Sequence, residues 1–318
     1  MWSFLQNIFS IKRKYLGSKT YYIITVLGLK IKKRINSKHL LYCYYFQAEP
    51  NFGDLLNISV FKMFGLNIQA ENIKNSQIIA IGSLLQTLFR KNLSFIKKLQ
   101  LKFQKPIIVY GSGFIEDTPL DFYPLRKLEI IAVRGYNSLE KLKNFKNKNI
   151  IISKHVEIGD PGLLSKYLVD VSNIEKKYDL GIIPHYVDKK NSLLNKIEVS
   201  NSTIIDIQQE PEIFIKQLAE CKNVISSAMH GLIAADSLGI PNIRMVVSDK
   251  ITGGDYKYND YYSAFGLKQH NVINLSEQTF TDKDVANIAL NYNIKQEQVD
   301  KICKNLIEKF PFKEKNVC

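Results

Sequence analysis

The sequence predicts an α/β protein built from two doubly wound, Rossmann-like domains that face each other across a cleft. Three observations predict it. Short apolar runs lack period-two alternation, as do strands buried on both faces of a parallel sheet. These runs alternate with helical stretches, and the alternation is repeated twice along the chain. The chain has 318 residues, long for one core when roughly 100–200 residues per domain is usual.

Taken in order, residues 1–37 form an N-terminal basic, amphipathic segment. Trp2, Leu5, Ile8 and Phe9 recur at helical spacing ahead of Lys12, Arg13 and Lys14. Such a helix suits an anionic membrane surface, or equally the protein's own body. The first Rossmann-like domain is expected over 38–170 as the acceptor side. In it 40–46 reads as a strand, the stretch after Asp54 as a helix, and 77–81 and 106–110 as strands. The strand at 130–133 leads into a helix through 138–142, and 150–153 and 156–158 are extended. A polar stretch at 172–177 marks the join. The second domain, 171–318 on the donor side, has strands at 180–184, 203–207, 223–225 and 242–245 with a helix in each interval. A terminal helix with a basic tail follows residue 290.

Composition narrows the function. Hydrophobic residues are 45% and charged residues 23% of a chain with formal net charge +14. That excess favours anionic partners. Nucleic acid is excluded on its modules, since no zinc-finger spacing, aromatic RNP-type strand or zipper heptad is present. Cys43, Cys221, Cys303 and Cys318 are widely spaced, which argues against a zinc site or a disulfide scaffold. No secretory signal is visible. The longest apolar run, 21–29, falls short of the ~20 residues that span a bilayer. The expected location is cytoplasmic, with peripheral contact at the inner membrane.

Ligands in such folds sit where strands end and loops enter helices. Five such points carry polar residues. Asn51-Phe52-Gly53-Asp54 offers a glycine for close approach and a carboxylate, and reads equally as a helix cap. Gly111-Ser112-Gly113 can cradle a phosphate or a sugar, without the full dinucleotide fingerprint. Arg134 ends an apolar strand ahead of Gly135, where it would project into the cleft or form a salt bridge. In Ser226-Ser227-Ala228-Met229-His230-Gly231 a serine can cap the helix closed by Gly239 and Pro241. His230 then lies in the first turn, where the helix N-terminus favours a neutral imidazole and an anionic ligand. The last point is Gly253-Gly254-Asp255-Tyr256-Lys257, a paired-glycine loop with a lysine between aromatics. Asp54, Asp160 and Asp255 are not at metal-ligand spacing, so no metal site is expected.

The order NFGD, IGSLL, YGSGF, AVRG, IGDPGLL, IIPHY, SSAMHGLIAADSLGIPN and GGDYKYNDYYSAFG resembles the polysaccharide pyruvyl transferase family over roughly residues 40–267. Residues 1–37 lie outside it, and YYIITVLGLKIKKR is similar to lead segments of cell-surface glycosyltransferases. The resemblance implies a two-domain GT-B fold and phosphoenolpyruvate as donor substrate, with no cofactor. It implies an enzyme of bacterial envelope polysaccharides (capsule, lipopolysaccharide or exopolysaccharide). The acceptor is a sugar, on a lipid-linked oligosaccharide at the membrane. It further implies that His230, Arg134 and Lys257 hold the donor, and the chemistry of the transfer makes His230 the first candidate for moving the proton. Ser226, Ser227, Gly231, Gly111 and Ser112 complete the donor side. Asp54 is the second candidate base, and Asn51, Gly53, His185 and Tyr256 form the acceptor side. Many members carry an arginine two places before the histidine, where this chain has Ala228. Arg244 or Lys250 would then help hold the anion. Two other readings stay open: a GT-B glycosyltransferase using a nucleotide sugar, and a non-catalytic glycan-binding member of the fold. The sequence does not specify an oligomeric state.

Overall fold

The computed structural model describes residues 9–16, 19–26, 29–34, 40–49, 51–94, 101, 104–118, 123–267 and 271–312. Three N-terminal strands, β1 (Phe9–Leu16), β2 (Lys19–Val26) and β3 (Leu29–Arg34), pair antiparallel in a sheet of their own. The helical spacing expected across residues 1–11 therefore gives way to a strand from Phe9 onward. The remainder of that stretch lies outside the described residues. β-branched and aromatic residues dominate 21–26, and such side chains favour a strand over a helix.

Next come β4 (Leu40–Cys43), β5 (Asn67–Ala70), β6 (Ile78–Ile79), β7 (Ile107–Ser112), β8 (Leu128–Val133) and β9 (Ile150–Ile158). They form one sheet in the order β9-β8-β7-β6-β4-β5, every neighbouring pair parallel. The second sheet holds β10 (Tyr178–Ile183), β11 (Ser202–Ile204), β12 (Cys221–Ser226), β13 (Asn242–Val246) and β14 (Val272–Asn274). Its order is β11-β10-β12-β13-β14, again all parallel. Ile78, Ile79, Ile107 and Val109 are fully buried, which is why the strands read as unbroken apolar runs. Extended segments expected at 150–153 and 156–158 are one strand, β9.

The two sheets share one winding. In each, the chain steps outward from the first strand to an edge strand and then returns to the other side. The direction thus reverses between β4 and β6, and again between β10 and β12. In open α/β sheets the usual ligand position lies outside the carboxyl ends of the strands at such a reversal.

Helices α1 (Phe52–Met63), α2 (Tyr136–Asn144), α3 (Pro211–Ala219), α4 (Met229–Ser237), α5 (Tyr256–Ser263), α6 (Asp282–Leu290) and α7 (Gln296–Lys309) cover the sheets. Between β10 and β11 the described chain has a 3₁₀ turn at Ser192–Lys196 rather than the α-helix expected there. One hydrophobic cluster runs through both halves, joining Leu41 and Phe61 to Phe214, Leu218 and Ile233. α7 follows the second sheet in sequence but reaches back to the first. Tyr110 donates to the Leu306 carbonyl at 2.7 Å, and Phe310 stacks on Phe64 with ring centroids 3.8 Å apart. The Phe52 amide donates to the Ile207 carbonyl at 2.7 Å and ties the start of α1 to the second half.

Candidate active site

Both points of strand reversal converge on His230. The side chain rises from the first turn of α4, beyond β12, and keeps 13% of its surface exposed. Its ring lies against Gly53 at the start of α1. A Cβ added to Gly53 would stand 2.1 Å from Nδ1 of His230. Gly53 is therefore a glycine for lack of space, and NFGD brings the first half of the chain onto the histidine of the second. On the other side Nε2 of His230 lies 3.9 Å from Oδ2 of Asp160. Both atoms are buried without a hydrogen-bond partner. Asp160 is fully buried, and its other oxygen accepts from the Gly162 amide at 2.8 Å. A buried polar atom without a partner costs about 1–3 kcal/mol. Two such atoms facing each other leave this acid and imidazole with unspent hydrogen-bonding capacity.

The electrostatics of this centre reverse the ordinary order of acid and base. Burial pushes His230 down to about 3, helped by the positive charges of Arg134, Lys257 and His185. Burial lifts Asp160 to about 6 and Asp54 to about 7. Lys257 falls to about 7 through burial and the charges of Arg134 and Arg244. At neutral pH the imidazole is thus an uncharged base beside carboxyl groups able to hold protons. Groups whose environments push their pKa values past one another are the recurring pattern of acid–base sites.

Lys257 sits on α5, in a helix rather than the mobile loop its paired glycines suggested. Its ammonium donates to the Thr252 carbonyl at 2.9 Å, and 8% of the residue is exposed. Gly253, with φ +90°, lets the loop run close to Ile115. Arg134 also differs from expectation. It is fully buried rather than projecting into an open cleft. Nε donates to Asp260 at 2.8 Å, Nη1 to Ser83 at 2.6 Å, and Nη2 to the Phe114 carbonyl at 2.5 Å. Asp260 in turn accepts from the amide and hydroxyl of Ser138, each at 2.7 Å. Gly113 leaves room for the guanidinium, since a Cβ there would lie 2.4 Å from it. An arginine so enclosed sets the local potential and fastens α5 to the first half.

The remaining candidates divide. Asn51 caps α1 by accepting from the amides of Gly53 and Asp54, and its own amide donates to Asp54 at 2.6 Å. His185 meets the Tyr186 ring at a tilt of 34°, with centroids 4.3 Å apart. Burial and the nearby Lys257 hold it down at about 4. Tyr186 is raised by burial and by the nearby charge of Asp54. Ser226 and Ser227 shape the turn instead of capping α4. Ser226 accepts from the Ala228 amide, while Ser227 donates to Asp188 and accepts from the His185 amide. The cap position of α4 is Ala228, with no side-chain bond. Gly231 packs against the Ser226 hydroxyl and Gly111 against Pro161. Buried Ser112 donates to the Gly82 carbonyl. Tyr256 lines a separate cavity with Asn137, Glu140 and Lys141. Arg244 pairs with Asp255 at 2.5 Å and stacks over Tyr258, whereas Lys250 is exposed. Among the described residues no three His, Cys, Asp or Glu side chains are grouped to hold a metal ion.

Sequence reasoning missed Asp160, Asp260 and Ser83. Asp160 had a signal, as an acid ending a strand ahead of Pro161 in IGDPGLL. Asp260 had none, because its partner Arg134 is 126 positions away.

Comparison with known proteins places this chain in a family. The profile of the family described as polysaccharide pyruvyl transferase matches residues 3–249. The chain belongs to this family. Membership makes the protein a transferase with a role in polysaccharide pyruvylation. The match begins well before residue 40, so the N-terminal segment falls inside it. It stops short of Lys257, so α5 falls outside. An uncharacterised protein of Acanthamoeba polyphaga mimivirus is 31% identical over 236 residues, 72% of this chain and 76% of its own length. The succinoglycan biosynthesis protein ExoV of Rhizobium meliloti is 24% identical over 226 residues, 70% of this chain and 65% of its own. An uncharacterised Klebsiella pneumoniae protein of known structure aligns over 74% of this chain and 92% of its own, at 16% identity and a TM-score of 0.40.

Proposed function

We propose that this pyruvyl transferase moves pyruvate from phosphoenolpyruvate onto a sugar of a cell-surface polysaccharide or its lipid-linked precursor, closing a pyruvate ketal. The crevice between two domains of the GT-B kind is its site. The observation that carries this reading is the meeting of His230 and Asp160 through two unpartnered buried atoms, with Lys257 and Arg134 supplying positive potential. Phosphoenolpyruvate brings a phosphate and a carboxylate, and a buried cluster of cations stabilises both. Its arrival favours the charged forms of Lys257 and His230, since an anion nearby reverses the bias of burial.

The chemistry then balances. A proton passes to the methylene carbon and makes an oxocarbenium-like centre at the enol carbon. One sugar hydroxyl attacks that centre and gives up its proton. The carbon–oxygen bond to phosphate breaks, phosphate leaves, and a second hydroxyl closes the ring. Two hydroxyl protons are lost: one is balanced by the new methyl C–H bond and the other by the departing hydrogen phosphate. His230 with Asp160 handles the first transfer, and Asp54, poised near neutral pH, takes the proton of the attacking hydroxyl. Positioned acid–base groups of this kind contribute about 10²–10⁴-fold.

A thermal-shift titration with phosphoenolpyruvate beside UDP, CMP and GDP sugars tests the donor. A ligand of the folded state adds ~2.7 kcal/mol at a hundredfold excess over its Kd. Stabilisation by phosphoenolpyruvate that is lost in Lys257→Met is expected. Stabilisation by a nucleotide sugar alone would replace this reading with glycosyl transfer, and glycan binding without turnover would make the chain a binding protein.

A further inference from the structure

We infer that the N-terminal sheet is a docking surface for an anionic membrane, and that one of its two faces does the docking. The inference stands apart from the identity of the donor. Its first ground is the distribution of charge. Residues 1–48 contain nine lysines and arginines and no aspartate or glutamate. The rest of the chain holds 35 basic against 30 acidic residues. Most of the net +14 therefore belongs to this short segment, and the body is near balance.

Its second ground is the register. Lys12 stands opposite Ile23 and Lys14 opposite Tyr21 in the β1–β2 pair, and Leu16 is opposite Lys19. In the β2–β3 pair Tyr21 is opposite Arg34, Ile23 opposite Lys32 and Thr25 opposite Lys30. Directly opposed residues of an antiparallel pair share a face, and faces alternate along each strand. One face thus carries Lys12, Lys14, Lys19, Lys30, Lys32 and Arg34. The other carries Ile11, Tyr22, Ile24, Val26, Leu29 and Ile31, with Arg13 and Lys33 opposite Tyr22. Charge is sorted by face, which composition alone does not require.

A sheet spaces alternate residues about 6–7 Å apart along a strand and neighbouring strands about 4.8 Å apart. Six cations on such a lattice, with no acid among them, complement a plane of anionic phospholipid headgroups. Among the described residues no helix is long and apolar enough to cross a membrane. Attachment by this sheet is then peripheral, reversible and weakened by salt.

The test is co-sedimentation of the full chain with vesicles of phosphatidylcholine alone and of phosphatidylcholine containing a minority of phosphatidylglycerol. Binding to the anionic vesicles only, reversed by salt, is expected. Two double variants remove the same charge from opposite faces: Lys12→Gln with Lys32→Gln, and Arg13→Gln with Lys33→Gln. Each Lys or Arg at an anionic leaflet contributes roughly a fivefold gain in affinity. The first pair should weaken binding by roughly 25-fold and the second by far less. Lys14→Gln with Arg34→Gln repeats the test on the cationic face should the first pair fold poorly, as judged by its thermal midpoint. Equal losses from the two faces would overturn the inference. So would equal binding to neutral vesicles, or face-dependent binding to duplex DNA with none to vesicles.

Discussion

Removing the carboxylate of Asp260 should destabilise the protein more than any single loss at its surface. Arg134 and Asp260 are both fully buried and joined at 2.8 Å. Asp260 also receives both donors of Ser138. Asp260→Ala leaves three donors (Arg134 Nε and the amide and hydroxyl of Ser138) without their acceptor, and the buried guanidinium without its carboxylate partner. Breaking a buried pair from one side costs about 3–5 kcal/mol, because the remaining charge stays desolvated. At roughly 2–4 °C per kcal/mol for a large domain, the midpoint should fall by about 6–20 °C. Urea denaturation and a thermal scan measure this directly. Arg134→Met combined with Asp260→Leu should recover much of the loss, since an apolar pair leaves no orphan charge. Because α5 carries Lys257 on the same helix, Asp260→Ala should also weaken phosphoenolpyruvate binding. A loss below about 1 kcal/mol for Asp260→Ala, or a double variant no better than the single, would refute the buried-pair reasoning.

Gly53→Ala should cut turnover by about a hundredfold while the protein stays folded, because the new methyl displaces the His230 ring and small misplacements are that costly; steady-state kinetics beside a circular dichroism melt would separate the two effects. His230 titrates at about 3 folded against 6.5 ordinarily, so the unfolded chain binds more protons between those values. Its contribution is complete above pH 6.5 and is lost as pH falls toward 3. His230→Asn should therefore lose stability less steeply in acid, by up to about 1.4 kcal/mol per pH unit, in pH-resolved denaturation. Asp54 and Asp160, raised on folding, bias the slope the other way in both proteins, and the comparison cancels them. Phosphoenolpyruvate binding should weaken as pH rises through about 7, where Lys257 loses its charge; titration calorimetry across that range should find the dependence flattened in Lys257→Met. Phe310→Ala should cost roughly 3–5 kcal/mol, as it removes an aromatic buried against Phe64, Phe61 and Tyr110, and denaturant midpoints would measure it.

The amino-acid sequence by itself determined most strands of the two parallel sheets, the loops that matter and the family, but not the N-terminal sheet, β5 or β14. Buried parallel strands must be apolar throughout, so 40–46, 77–81, 106–110 and 223–225 declared themselves. Glycines and polar residues at their ends marked NFGD and AMHG, and the fold brings Gly53 of one against His230 of the other. Local patterning did not reveal which loop meets which. That Gly53 must be small for the sake of His230 depends on two segments 177 positions apart in the chain, a proximity only packing creates. Arg134 looked like a ligand-binding cation because residue type and strand position cannot show that Asp260 will enclose it. Asp160 looked like one acid among many until burial and the facing imidazole left its second oxygen without a partner. The terminal helix likewise gives no local sign that it will cross back to the first half, where Tyr110 in the sheet and Phe64 at the end of α1 meet it. Propensity and periodicity are short-range, and they set the elements. Desolvation, close approach and the pairing of buried charges depend on distances through space, and these the tertiary structure alone decided.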